Sequence, residues 1–224
     1  MVERSITAII PTMWKSKNIN KILTDLYDWY LIDKVILIDN NSAETPDDFP
    51  KDDKLIYVKP NKNIYVNPAW NLGVHMATTE NIFILNDDIH FEYCEVNNFL
   101  MEVTGKWGKK FEDLGFIGMH SINYEGGGNR MIIEPYDNTT NTGGWGCFIM
   151  FAKKHWVDIP ERLKIWYGDN FIQALAYGRG IAVSQFRGLT MTKSEMSVTS
   201  DDMSVRDVRD NDTIEWHKIL NNGK

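Results

Sequence analysis

Apolar positions change period along the chain, and each change marks an element. Ile6 to Ile10 form an unbroken β-branched run closed by Pro11, the pattern of a buried strand. Ile19, Ile22, Leu23, Leu26, Tyr27 and Tyr30 then recur at helical spacing and define one apolar face. Val35 to Ile38 is a second continuous strand, running into the turn formers Asp39-Asn40-Asn41-Ser42. Ala43 to Asp53 carries prolines and acids and reads as a surface loop; Leu55 to Val58 is a third strand. Asn67-Pro68 predicts a helix start, with Asn as N-cap and Pro at the first helical position. Ala69, Leu72, Gly73, Met76 and Ala77 share one face of that helix, and Ile82 to Leu85 is a fourth strand ending in Asn86-Asp87-Asp88. Continuous apolar strands joined by helices predict an α/β fold, a mostly parallel sheet covered on both faces.

The second half is less regular. Phe116 to Met119 predicts a strand, Gly126-Gly127-Gly128 a turn, and Trp145 to Ala152 another apolar stretch behind Gly143-Gly144. Phe171, Leu175 and Tyr177 predict a helix starting near Asp169, followed by a strand over Ile181 to Phe186. The polar segment from Lys193 to Asp212 reads as a mobile loop before a short last helix around Ile214 to Leu220.

Composition excludes several classes. The 224 residues, 43% hydrophobic and 25% charged, are those of an ordinary globular chain rather than a disordered or fibrous one. With 24 basic and 31 acidic residues the net charge is −7, so only local basic patches would attract a polyanion. Cys94 and Cys147 suggest neither a disulfide framework nor a zinc site, and both read as buried thiols. No apolar run reaches the length of a membrane span, and MVERSITAIIPT lacks the apolar core of a signal peptide. The expectation is a cytoplasmic protein, of a bacterium or of a phage-infected host.

In open parallel sheets, ligands bind beyond the carboxyl ends of the strands. Those ends are Pro11-Thr12, Asp39-Asn40-Asn41 and Asn86-Asp87-Asp88. Adjacent carboxylates there suit Mg²⁺ or Mn²⁺ held against a diphosphate. Taken singly, Asp39 and Asp87 read equally well as turn residues capping the next element.

IIPT, VILIDNNS, the set Asn63, Asn71, Gly73 and Ala77, and FILNDD, in that order, resemble the opening of family-2-type glycosyltransferases with the GT-A (Rossmann-like) fold. The resemblance implies a nucleotide-sugar donor, UDP-linked by preference, bound by Pro11, Thr12, Asp39, Asn71, Asn86, Asp87 and Asp88. Asn86-Asp87-Asp88 stands in place of the family's D-x-D signature, with Asp88 as the metal ligand for Mn²⁺ or Mg²⁺. Tyr65 falls where the family usually has Gly. Further on, GGWGCFIMFAKKHW resembles the turn and strand before the acceptor site, with Gly144 and an exposed Trp145 against a sugar. IWYGDNFI resembles the family's Glu-Asp helix opening, with Gly168 in place of Glu and Asp169 as the implied general base. No His follows in Gly188-Leu189-Thr190-Met191-Thr192-Lys193, where many relatives carry a metal ligand, and His90 is the one histidine close to the acidic cluster.

The leading expectation is a single GT-A-type domain over residues 1–224, with a nucleotide-sugar-binding half at 1–90 and an acceptor half with a C-terminal extension at 91–224. It would be an inverting hexosyl- or pentosyltransferase acting on a glycan or, in a phage-type reading, on a hydroxymethylated DNA base. For DNA, Lys106-Trp107-Gly108-Lys109-Lys110 with Arg206 and Arg209 would supply phosphate contacts. The alternatives are a non-catalytic nucleotide-sugar-binding module and a sugar nucleotidyltransferase. The last is disfavoured because no glycine follows the first strand in Pro11-Thr12-Met13-Trp14-Lys15-Ser16.

Overall fold

A computed structural model describes residues 5–41, 43, 45–102, 110–120, 131–140, 143–189 and 203–222. The strands are β1 Ile6–Thr12, β2 Ile32–Asp39, β3 Leu55–Val58, β4 Asn81–Leu85, β5 Phe116–Met119, β6 Ile132–Pro135, β7 Phe148–Ala152 and β8 Val183–Arg187. The helices are α1 Ile19–Asp28, α2 Val66–Met76, α3 Tyr93–Met101, α4 Gly168–Gly178 and α5 Met203–Asn222. All eight strands form one sheet in the order β3-β2-β1-β4-β7-β5-β8-β6. The sheet is mixed, because β7 runs antiparallel to β4 and β5, and β6 antiparallel to β8. The remaining pairs are parallel. The carboxyl ends of β1, β2, β3, β4, β5 and β8 therefore share one edge, and the amino end of β7 enters from that edge.

Strand side chains alternate between two helix layers. Ile10, Leu37, Phe83, Phe148 and Met150 pack with Ile19, Ile22, Leu23 and Leu26 of α1 and Val96 and Phe99 of α3. Ile9, Ile36, Ile84, Ile149 and Phe151 pack on the other face with Ala69, Trp70 and Val74 of α2 and Ile172 and Ala176 of α4. Both faces are covered, as the continuous apolar strands predicted.

Several expectations change. The α2 helix starts at Val66, so Asn67 is a buried first-turn residue and not the N-cap. The expected surface loop at Ala43 to Asp53 sends Phe49 into the core, against Trp14 and Tyr57. The C-terminal helix begins at Met203, within the span expected to be a loop. Cys94 is exposed on the solvent side of α3, and Cys147 is only partly buried. The short edge strand β6 and helix α3 were not foreseen, although Val96, Phe99 and Leu100 already stood at helical spacing. Gly126-Gly127-Gly128, Lys106 to Lys109 and Lys193 lie outside the described residues. Among the described residues, no helix is long and apolar enough to cross a membrane.

Candidate active site

At the carboxyl ends of β1, β2 and β4, strand register brings the motif residues together. Thr12 is the Cα partner of Asp39, and its carbonyl accepts the Asn40 N–H at 2.9 Å. The Thr12 hydroxyl donates to Asp87 Oδ2 at 2.6 Å, tying the end of β1 to the end of β4. Pro11 and Thr12 are both buried, so these residues build the floor of the crevice. Asp39 is wholly buried as well. Its Oδ1 accepts the Asn41 N–H at 2.9 Å, and its Oδ2 accepts Tyr57 Oη at 2.5 Å and the Thr45 hydroxyl. Burial alone would push this carboxyl up, but the donors from Thr45, Tyr57 and Asn41 outweigh it and hold the pKa below its usual value. The Thr12 hydroxyl and the Asp39 carboxylate thus each make hydrogen bonds within the protein.

The end of β4 is more strongly charged. Asp87 and Asp88 are buried neighbours. Burial, further raised by the Asp88 charge, pushes the Asp87 pKa up to about 6 despite the Thr12 hydrogen bond. Two adjacent carboxylates in so dry a place favour a divalent cation, so the donor set fits one chemically. Among the described residues no group of three or more His, Cys, Asp or Glu side chains gathers for a metal. A cation here would complete its shell with substrate oxygens and water, the usual habit of Mg²⁺. His90 is not part of this set: its Nε2 pairs with Asp25 and lies 2.9 Å from Lys21 Nζ, both on α1.

The 3₁₀ turn Trp145–Cys147, at the amino end of β7, joins the two sides. Its Cys147 carbonyl accepts the Asn86 N–H at 2.9 Å. Burial, then the charges of Asp88 and Asp169, push the Cys147 thiol up to about 12. Both carboxylates therefore act on the same short turn. On its other side, a Cβ added to Gly146 would lie 3.1 Å from the Asp169 Cβ, so glycine leaves room for this carboxyl. Gly144 enters the turn at φ 96, a left-handed conformation that favours glycine.

Trp145 is not an exposed platform. Its side chain is 1% exposed, its ring lies against Gly118, and its indole N–H donates to the Ser184 carbonyl at 2.9 Å. The Gly118 position, where a Cβ would sit 2.4 Å from the indole, supplies the slot. Trp145 is thus a core residue. Asn71, implied as a donor ligand, is also used internally: it donates to the Ile159 carbonyl at 2.8 Å and accepts the Ile159 N–H at 3.0 Å. That two-way bond fastens the loop after β7 to α2.

Asp169 is the second residue of α4, not its N-cap, which is Tyr167. Burial raises its pKa, while the N–H groups of Asn170, Asp169 and Gly146 lower it. The opening of α4 explains Gly168. A Cβ there would lie 2.1 Å from Asn67 Oδ1, so any larger residue would displace the buried α2 side chain. Tyr136, next to β6, also belongs to this side: burial and then the Asp169 charge push its phenol up.

Residues that spacing did not single out complete the arrangement. Asn67 donates its N–H to the Lys164 carbonyl at 2.9 Å and its Nδ2 to the Trp166 carbonyl at 3.2 Å. Asp212 of α5, fully buried, accepts the N–H groups of Lys164, Ile165 and Trp166 at 2.8–2.9 Å. Trp14, Tyr65 and Tyr167 all have positive φ, at 60°, 66° and 63°. Each stands next to an implied functional segment, after β1 and before α2 and α4. Bulky residues in this region of backbone space are strained, and such strain collects at functional sites.

The mixed α/β sheet thus carries an acidic strand end on one side of a glycine-rich turn and a helix-borne carboxylate on the other. The glycosyl transferase family 2 model matches residues 7–155, more than half of the sequence, and the chain belongs to that family. Among solved structures, the crystal structure of S. aureus TarS 1-349 superposes with a TM-score of 0.54 at 15% identity, covering 81% of this chain. The chain spans 57% of that chain's length, and the likeness is one of fold. No curated protein matches by sequence.

Proposed function

We propose that the protein is an inverting, metal-assisted glycosyltransferase that takes a sugar from a nucleoside diphosphate, UDP by preference, to an acceptor hydroxyl. Residues 1–90 would bind the donor and residues 91–224 the acceptor, in one domain. The observation that carries the reading is the turn Trp145–Cys147, whose Cys147 carbonyl accepts the Asn86 N–H of the acidic strand end and whose Gly146 lies against the Asp169 side chain. Transfer with inversion requires this pairing of a charge-neutralising side with a base side.

Asp88, with Asp87 beside it, would hold Mn²⁺ or Mg²⁺. Bound there, the cation would offset the charge developing on the departing nucleoside diphosphate. Asn86 supplies a neutral amide next to the ribose. Asp39, with its oxygens already committed, shapes the nucleoside pocket through Tyr57 and Asn41. On the other side, the acceptor oxygen forms its bond to the sugar anomeric carbon as the bond from that carbon to the diphosphate oxygen breaks. Asp169 receives the hydroxyl proton. Its pKa, raised by burial, makes it a stronger base than an ordinary carboxylate.

The test is a thermal-shift series of nucleotide sugars, each with Mn²⁺ and with excess chelator, followed by nucleotide release. Ligands that bind the native state raise Tm by mass action. One donor should stabilise the protein only with Mn²⁺, and Asp88→Asn should abolish that shift. Equal stabilisation in chelator would overturn metal assistance. Donor binding without any sugar transfer or hydrolysis would identify a binding module instead.

A further inference from the structure

The loop Lys164–Tyr167, which delivers the chain into α4, is held from two opposite sides. From α2, Asn67 binds the carbonyl oxygens of Lys164 and Trp166. From α5, the Asp212 carboxylate binds the N–H groups of Lys164, Ile165 and Trp166, at 2.9, 2.8 and 2.9 Å. Three successive backbone donors converging on one carboxylate make a nest, an arrangement usually occupied by an anion. Here the anion comes from the chain itself, 46 to 48 residues further on. The same helix adds a ring stack, Trp216 on Tyr167 at 5.8 Å and 9°, and a 3.1 Å bond from Tyr167 Oη to Thr213 Oγ1. Tyr167 is thereby kept at φ 63, the conformation that turns the chain into Gly168 and Asp169.

We propose that Asp212 is a positioning residue for the transfer reaction: by filling the nest at 164–166 it fixes the start of α4 and with it the carboxylate of Asp169 against Gly146. The inference rests on the reading of Asp169 as the base. The Asp212 carboxylate touches no reacting atom in this role. Its contribution is geometric, since a base displaced by about 1 Å loses on the order of 10²-fold in rate. Neither α4 nor α5 lies within residues 7–155, so the clamp belongs to the part of the chain beyond the family match.

The experiment uses the full chain, with Asp212→Ala, Asp212→Asn and, as control on the same helix, Glu215→Gln. Among the described residues Glu215 pairs with Arg162 at 3.3 Å and Lys218 at 2.6 Å, and not with the 164–166 backbone. Two quantities are read without any donor: the titration of the Asp169 carboxyl by ¹³C NMR, and amide exchange at 164–166. A third is UDP affinity in Mn²⁺, and a fourth is kcat with the donor found by thermal shift. Among the described residues, the titratable groups that feel the Asp169 charge are Tyr136 and Cys147, and neither is altered.

Asp212→Ala should speed exchange at 164–166 and bring the Asp169 midpoint down as the carboxyl hydrates. It should lower kcat by about 10- to 10²-fold and leave UDP affinity unchanged. Asp212→Asn keeps one acceptor oxygen and should fall between Ala and wild type; it carries the test if the Ala variant does not fold. Glu215→Gln should match wild type. Faster exchange with an unmoved Asp169 midpoint, or equal loss of UDP affinity and turnover, would overturn the proposal. The underlying reading fails separately: normal turnover in Asp169→Asn would remove the base, whatever Asp212 does to the loop.

Discussion

The two sides of the crevice are held together by different means. On the proposed donor side, neighbouring parallel strands place Thr12 beside Asp39, the Thr12 hydroxyl binds Asp87, and Tyr57 of the next strand binds Asp39. On the proposed acceptor side, the chain is fixed by side chains gripping backbone groups: Asn67, Asn71 and Asp212 each bind main-chain atoms far away in sequence. A strand edge inherits its geometry from the sheet. A loop must have each peptide group satisfied individually. The strand-end side is therefore rigid by construction, and the α4 side depends on a few polar residues whose loss acts at a distance.

The sharpest way to separate the sides is to remove the proton acceptor alone. Asp169→Asn keeps the size of the side chain and much of its hydrogen bonding. Loss of a general base typically costs ~10²–10⁴-fold in rate. We expect kcat to collapse by that factor with donor affinity unchanged, the reverse of Asp88→Asn, which should lose Mn²⁺-dependent binding. A rise in KM alone would place Asp169 in ground-state binding.

Trp145 tests whether the glycine-rich turn is a sugar platform or a structural pin. With the ring buried over Gly118 and its N–H on Ser184, Trp145→Ala should cost about 3–5 kcal/mol in urea unfolding, as expected for a buried Trp. A loss of turnover at unchanged stability would restore the exposed-ring reading.

How much of this was legible in sequence follows the same division. The runs at Ile6, Val35, Leu55 and Ile82 and the polar residues ending them announce both the strands and the acidic edge, because strand and site are contiguous. The start of α4 near Asp169, at Gly168, was legible for the same reason. Trp145 misled because its burial depends on the missing Cβ of Gly118 and the carbonyl of Ser184, neither of them local. Asn71 carried a family position but serves Ile159, 88 residues on. Asp212 gave only a weak local signal, an acid four residues before Trp216 on one helical face.

The acidic strand end should also show a pH signature. Burial and Asp88 raise Asp87 to about 6 from an ordinary 3.8, so the folded state binds more protons than the unfolded one between these values. Stability contributed by Asp87 therefore falls as pH rises from about 4 to about 6, by at most on the order of 3 kcal/mol. Asp87→Asn should be more stable than wild type at pH 7, with the gap closing as pH falls to 4. Wild-type stability that stays level with the variant across this window would show that Asp87 ionises freely. Added Mn²⁺ should narrow the gap at pH 7 by compensating the ionised pair.

The smallest effect contrasts two strained tyrosines, one on each side. Tyr65 sits at φ 66, ψ −179, a region essentially reserved for glycine, whereas Tyr167 sits at φ 63, ψ 7, a milder left-handed state. Such strain costs about 1–3 kcal/mol, and glycine returns about 0.5–1 kcal/mol of that through the entropy of the unfolded chain. At Tyr65 the ring contributes only a long contact with Lys164 Nζ, 5.8 Å from its centroid. At Tyr167 the ring stacks on Trp216 and its hydroxyl reaches Thr213. Tyr65→Gly should therefore stabilise the protein by about 1 kcal/mol in urea unfolding, and Tyr65→Ala, which keeps the Cβ, should not. Tyr167→Gly should instead lose stability, because the stack and the hydrogen bond outweigh the relieved strain. A gain at both positions would mean that α5 contributes less to the entry of α4 than its contacts indicate, and would weaken the acceptor-side clamp itself.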